Sequence, residues 1–215
     1  MSNDKQLKQS VLDELQWEPS VNAANIGVTV KDGIVTLMGN VDTYAEKHNA
    51  EKAALRVNKV KAVAEEIEVK LPFDVKHDDV DIARAATERL SWNVSVPMDT
   101  VKVTVSKGWI TLTGQVEWHY QLEAAADAVR YLWGVTGLSN QISIKPKVNA
   151  GDIKSSIVTA LHRSWFSPDH VDVTAKGGKV HLTGKVEYWS EREMAGTTAW
   201  AAPGVTSVDN DIRVN

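Results

Sequence analysis

Apolar residues recur at every fourth position in three places along the chain. Leu7, Val11 and Leu15 form the first set, Ile82, Ala86 and Leu90 the second, and Ile153, Ile157 and Leu161 the third. That spacing places each set on one face of an amphipathic helix. Asp4, Asp79 and Asp152 stand near the three starts, where a carboxylate caps a helix and meets the positive end of its dipole. Alternation follows each helix: Ile26, Val28 and Val30, then Val35, Leu37 and Val41 in the first instance. This period of two predicts a pair of strands with one buried face. Lys31-Asp32-Gly33, Lys107-Gly108 and Gly177-Gly178 supply the hairpin turns. Gly39, Gly114 and Gly184 fall inside the second strand of each pair, where glycine marks a bulge or the close approach of a helix. A second helix then shows small inward residues: Ala50, Ala54 and Val57, then Ala125, Val129 and Leu132, then Ala195, Ala199 and Ala202. Trp133-Gly134 and Pro203-Gly204 are the expected stops in the later copies. A final strand is expected near Ala64–Val69, Ser139–Ile144 and Val208–Val214.

The pattern is therefore one unit used three times. The segment Gly33-Ile34-Val35-Thr36-Leu37-Met38-Gly39-Asn40-Val41 returns from Gly108 to Val116 and from Gly178 to Val186, at offsets of 75 and 70 residues. The predicted order in each copy is α-β-β-α-β. The fold class is α+β: three tandem αββαβ units, each a three-stranded mixed sheet with two helices on one face. The first two strands form an antiparallel hairpin, and the second and third, joined by a helix crossover, run parallel. The expected domains are 1–71, 76–146 and 148–215. Proline-containing joints separate them, around Leu71–Lys76 and Lys145–Val148. Units of about 70 residues bury a modest share of their surface, so contacts between copies are expected to add stability.

Composition narrows the chemistry. The chain has 215 residues, 43% hydrophobic and 24% charged, with a net charge of −4, the balance of a globular protein. A net acidic chain argues against binding nucleic acid through phosphates. With no cysteine, disulfides, thiolate metal sites and cysteine nucleophiles are excluded.

The succession of a helix, an Ile-x-Val-x-Val strand, Gly-x-Val-x-Leu-x-Gly-x-Val, an alanine-rich helix and Gly-Val-x-x-Val-x-Asn-x-Ile-x-Val resembles the BON domain family. The ending Gly204-Val205-Thr206-Ser207-Val208-Asp209-Asn210-Asp211-Ile212-Arg213-Val214 matches closely. The second copy carries Gly137-Leu138-Ser139-Asn140-Gln141-Ile142, and the first departs, with Lys59-Val60 and Glu65-Glu66. The resemblance implies an αββαβ fold and a binding role, attachment to phospholipid or envelope structures with links to osmotic stress. It carries over no catalytic residues and no cofactor. Relatives are mostly exported and often have two copies. Here no apolar run precedes Val11, so the sequence as it stands reads as cytoplasmic. A leader removed earlier would make it periplasmic.

Candidate chemistry is sparse. The six histidines, His48, His77, His119, His162, His170 and His181, fall at different places in the repeats and show no metal-ligand spacing. Asp78-Asp79 and Glu65-Glu66 read as solvated pairs; Ser155, Ser156 and Ser164 have no base at motif spacing. The expectation is no catalytic residue, no metal site and no enzyme. The eight tryptophans are the oddity. Trp17 and Trp92 hold equivalent positions after the first helix, with Trp165 close by in register. Trp118 and Trp189 follow the second strand, with Tyr44, Tyr120 and Tyr188 nearby. Two readings stand: packing within and between copies, or anchorage of a partner or a lipid headgroup layer. Lys47, Lys52, Arg56, Lys59 and Lys61 make the second helix of the first copy basic, diluted by Glu46 and Glu51, either as a solvated face or as a patch for anionic lipid, for which Lys52, Arg56 and Lys59 are the candidates. The partner expected is anionic phospholipid or a membrane surface. The alternative is another protein, met by a tandem scaffold or chaperone-like binder whose copies act by avidity.

Overall fold

The computed structural model describes residues 3–72, 77–146, 152–163 and 170–214. The joints at 73–76 and 147–148, Ser164 and Trp165 lie outside the described residues. The first unit consists of α1 (Asn3–Trp17), a 3-10 turn at Ala23–Asn25, β1 (Ile26–Lys31), β2 (Ile34–Val41), α2 (Tyr44–Arg56) and β3 (Ala62–Val69). The second has α3 (Asp79–Trp92), β4 (Val101–Ser106), β5 (Trp109–Val116), α4 (His119–Arg130) and β6 (Gly137–Ile144). The third has α5 (Ile153–Leu161), β7 (Val171–Lys176), β8 (Lys179–Val186), α6 (Trp189–Trp200) and β9 (Ser207–Val214). Each unit is α+β, with its own three-stranded mixed sheet in sequential order. The hairpin strands are antiparallel and the third strand is parallel to the middle one, as the crossover requires.

One face of each sheet is buried. Leu7, Val11 and Leu15 of α1 and Ala50, Ala53 and Ala54 of α2 close over Val28, Val35, Leu37 and Ile67. The same layers recur around Leu112 and Leu182. Alanine on the second helix lets it lie close to the sheet, and the first helix, with Leu and Ile, fills the wider gap. The hairpins turn in two residues, both left-handed: Asp32 and Gly33 have φ of 54° and 82°, and Lys107 and Gly108 have 54° and 76°, the geometry that matches strand twist.

Three local readings change. Asp4 and Asp79 do not cap their helices. Asp79 accepts from the backbone N–H groups of Lys107 and Gly108, both at 2.8 Å, and Asp4 does the same at Asp32 and Gly33. They clamp the hairpin tip to the start of the first helix, while Asp78 takes the cap of α3 and Asp152 that of α5. The second helices end at Arg130 and Trp200, ahead of the expected stops. Trp133-Gly134 and Pro203-Gly204 are instead the centre of a β-turn, closed by Val135 N–H to Leu132 and Val205 N–H to Ala202. Its third residue is left-handed: Gly134, Gly204 and, in the first unit, Lys59 at φ 72°. The strand glycines answer to a close approach, but by backbone and not by a helix. At Gly39, Gly114 and Gly184 φ is 128°, 141° and 136°, and a Cβ would overlap the carbonyl oxygens of Asn25, Thr100 and His170.

Two substitutions test this backbone account by chemical denaturation. Gly114→Ala is expected to lower stability by about 1–3 kcal/mol, through strain and the clash with Thr100. Lys59→Gly is expected to raise it by about 1 kcal/mol, because glycine relieves the left-handed conformation. An unchanged midpoint in either variant would refute the corresponding claim.

Candidate functional site

The second helices bring the units together head to tail. Tyr44, the first residue of α2, packs on the core of the second unit, and the Arg130 charge acts on its hydroxyl. His119, the first residue of α4, stacks on Trp200 at the end of α6, with centroids 4.0 Å apart and planes 16° from parallel. Trp189, the first residue of α6, lines a pocket with Leu55 and Arg56 at the end of α2. In repeat register Tyr44, His119 and Trp189 are equivalent, and so are Leu55, Arg130 and Trp200. The three units therefore close a ring in which each helix start meets the next unit's helix end. Trp200 packs on the cores of both the second and third units.

The sequence candidates separate into groups. Trp17 and Trp92 stand at the ends of α1 and α3 and are each 82% exposed, with Val94 and Met98 also exposed in the segment that follows Trp92. Trp118 and Tyr188 occupy the position before α4 and α6, where they offer no side-chain cap. Gln121 and Glu191 reach back to the Trp118 and Tyr188 N–H groups. In the first unit Thr43 supplies the side-chain cap, accepting from the Glu46 N–H at 3.1 Å, while the Glu46 carboxylate accepts from the Asp42 and Asn22 N–H groups. Tyr120 and Tyr188 are exposed, whereas Trp118 and Trp189 are half-buried. Arg56 is held by Glu14 at 3.0 Å and Glu18 at 2.8 Å, so its charge is already matched. Lys52 and Lys59 make no ion pair among the described residues. Of these residues Lys52, Arg56 and Trp189 come together, lining one pocket between the first and third units.

Comparison with known proteins fixes the family. The BON domain family model matches residues 3–70, 78–146 and 149–215. The chain belongs to the BON domain family. It is similar to Osmotically-inducible protein Y of Escherichia coli (strain K12), 29% identical over 145 residues, 63% of this chain and 72% of that protein. Two solved structures of CdsD, a structural protein of the type III secretion system of Chlamydia trachomatis, align at 17% identity and TM-score 0.27. One alignment covers 98% of this chain and 92% of that one, and the other, with the C-terminal domain of CdsD, covers 100% and 99%; scores this low carry no argument here.

The BON motif residues now have a physical role. Asn140 and Asn210 strap the third strand to the second helix, donating to the Leu122 and Arg192 carbonyls at 3.0 and 2.9 Å and accepting from the N–H two residues on. In the first unit Glu65 replaces the asparagine. Its carboxylate accepts from the Ile67 N–H and pairs with Lys47 at 2.8 Å, and Lys47 also donates to the Ile67 carbonyl. An ion pair stands in for an amide, which accounts for that departure. Sequence reading missed this strap and the ring; the shared register of Tyr44, His119 and Trp189 was the available signal.

Two histidines lie where units meet. Burial, helped by the Arg130 and Lys52 charges and opposed by Asp127, brings His48 down from 6.5 to about 4. Its Nε2 is buried with no hydrogen-bond partner among the described residues. Burial against Trp200 lowers His119 too, with Glu123 opposing. Both are depressed, so the folded chain binds fewer protons than the unfolded chain between pH 6.5 and about 4. Stability is then lost as pH falls through that window. The melting temperature is expected to drop less between pH 7 and 4.5 in His48→Gln than in the parent chain; equal drops would remove His48 from the account.

Proposed function

We propose that this BON protein is a non-enzymatic binding protein that attaches to anionic phospholipid or envelope-associated surfaces during osmotic stress, with Trp17 and Trp92 as its anchors. The observation that carries the reading is their exposure. Two large indoles stand open to solvent at equivalent places in two units, although a globular chain gains by covering such surface. Tryptophan suits an interface that is apolar on one side and wet on the other. Val94 and Met98, in the segment that follows Trp92, are exposed as well, while Lys52 and Lys59 form no ion pair among the described residues. The name of the Escherichia coli relative, an osmotically inducible protein, supports the stress context.

Co-sedimentation with anionic vesicles at low and moderate salt tests the reading. The parent chain is expected to pellet, and Trp17→Ala/Trp92→Ala to bind at least tenfold more weakly, since each indole removed from water contributes about 1.5–3 kcal/mol. No pelleting of the parent chain at either salt would overturn the lipid reading and leave the tandem protein-interaction scaffold.

A further inference from the structure

The three contacts of the ring are built alike but are not filled alike. At the first, Tyr44 packs on the second unit's core, and at the second His119 stacks on Trp200. The third, between the third unit and the first, opens into a cleft of about 1340 Å³. Leu55 and Trp189 give it an apolar part, and Lys61, Lys185, Arg192 and Arg213 line the rest.

Repeat register shows how unusual those cations are. The positions equivalent to Lys185, Arg192, Arg213 and Lys61 are Asn40, Lys47, Glu68 and Thr136 at the first contact, and Gln115, Leu122, Ser143 and Thr206 at the second. Of these eight only Lys47 is basic, and it is paired with Glu65. At the ring-closing contact all four are basic, in a chain of net charge −4. Among the described residues Lys61, Lys185 and Arg213 form no ion pair.

Arg192 is held in place without being neutralised. Its Nε donates to the Ile212 carbonyl at 3.0 Å and its Nη2 to the Asn210 carbonyl at 2.6 Å. The guanidinium lies 4.7 Å from the centre of the Trp189 ring. Carbonyls and an indole fix its position, and no carboxylate matches its charge. The cleft also has two acids: Asp211, bonded to His181 at 3.0 Å, and Glu51, whose carboxyl is pushed up by burial and by Glu65.

Four cations around an apolar recess, one of them a preset guanidinium, match a small molecule with an anionic head and an apolar body. We propose that the cleft closed by the first and third units is a binding site for a phosphate monoester with an apolar substituent, its phosphate held by Lys61, Lys185, Arg192 and Arg213 and its substituent against Trp189 and Leu55. The site is separate from Trp17 and Trp92. Its ligand is either a soluble phosphorylated molecule or an anionic lipid whose headgroup is a terminal phosphate, which share this chemistry.

Isothermal titration of the full chain with hexyl phosphate tests the proposal, with inorganic phosphate and hexanol as controls. Hexyl phosphate is expected to bind at least tenfold more tightly than either control, and to weaken at least tenfold in Lys185→Gln/Arg213→Gln. Both residues are exposed, so the variant's melting temperature should match the parent's. Trp17→Ala/Trp92→Ala should bind hexyl phosphate as the parent does, even where it no longer pellets with vesicles, so failure of either reading is distinguishable from failure of the other. Vesicle pelleting that depends on Lys185 and Arg213 would assign the lipid source, and titration without such dependence the soluble one. No binding of hexyl phosphate, or equal binding by parent and Lys185→Gln/Arg213→Gln, would overturn the proposal.

Discussion

A three-stranded sheet of six- to eight-residue strands can be covered on one face by two helices, and that single covered face sets the terms for the whole chain. Leu7, Val11 and Leu15 with Ala50, Ala53 and Ala54 close over β1–β3, and the other two units repeat the arrangement. Little apolar surface remains with which to stabilise so small a unit. The start of the second helix supplies more. An aromatic ring there, Tyr44, His119 or Trp189, is too large to be tucked under its own sheet and lies against a neighbour. Three units then satisfy one another in a closed cycle, which two units with the same head-to-tail contact would leave open.

The same constraint explains which parts of the fold were legible in the sequence. Helix faces and strand alternation could be read because burial on one face imposes a period, and Val28, Leu37 and Ile67 show it plainly. The left-handed glycines could be read as special positions, but the partner that crowds them could not. The Asn25, Thr100 and His170 carbonyls approach from the residue before each hairpin, and nothing in residue type marks a carbonyl. Asp79 was misassigned for a related reason. A carboxylate near a helix start satisfies the capping rule equally well whether it turns to its own helix or to a hairpin tip 29 residues on.

The candidate site was less legible. Residue types show aromatics but not exposure, so Trp17 and Trp189 looked alike. In the structure one stands 82% exposed and the other is half-buried beside Arg192. The basic second helix could be read either as a solvated face or as a patch for anionic lipid. Arg56 is matched by Glu14 and Glu18 from α1, a pairing across 42 and 38 residues that no local pattern displays.

Repetition gives polar positions a reference that a single domain lacks. Where the copies share a contact, a difference between them isolates what the fold does not require. The asparagine strap and the Glu65–Lys47 pair are two solutions to one need, joining the third strand to the second helix, and either leaves the backbone unchanged. The four cations of the ring-closing cleft meet no such need, since the other two contacts form with almost no unmatched charge at the equivalent positions. Like charges brought together repel one another, at a distance over which salt screens them only in part. A fold that is indifferent to them at two contacts gains no stability from them at the third. Their gathering there is therefore better accounted for by an anion that the cleft receives than by the architecture of the ring.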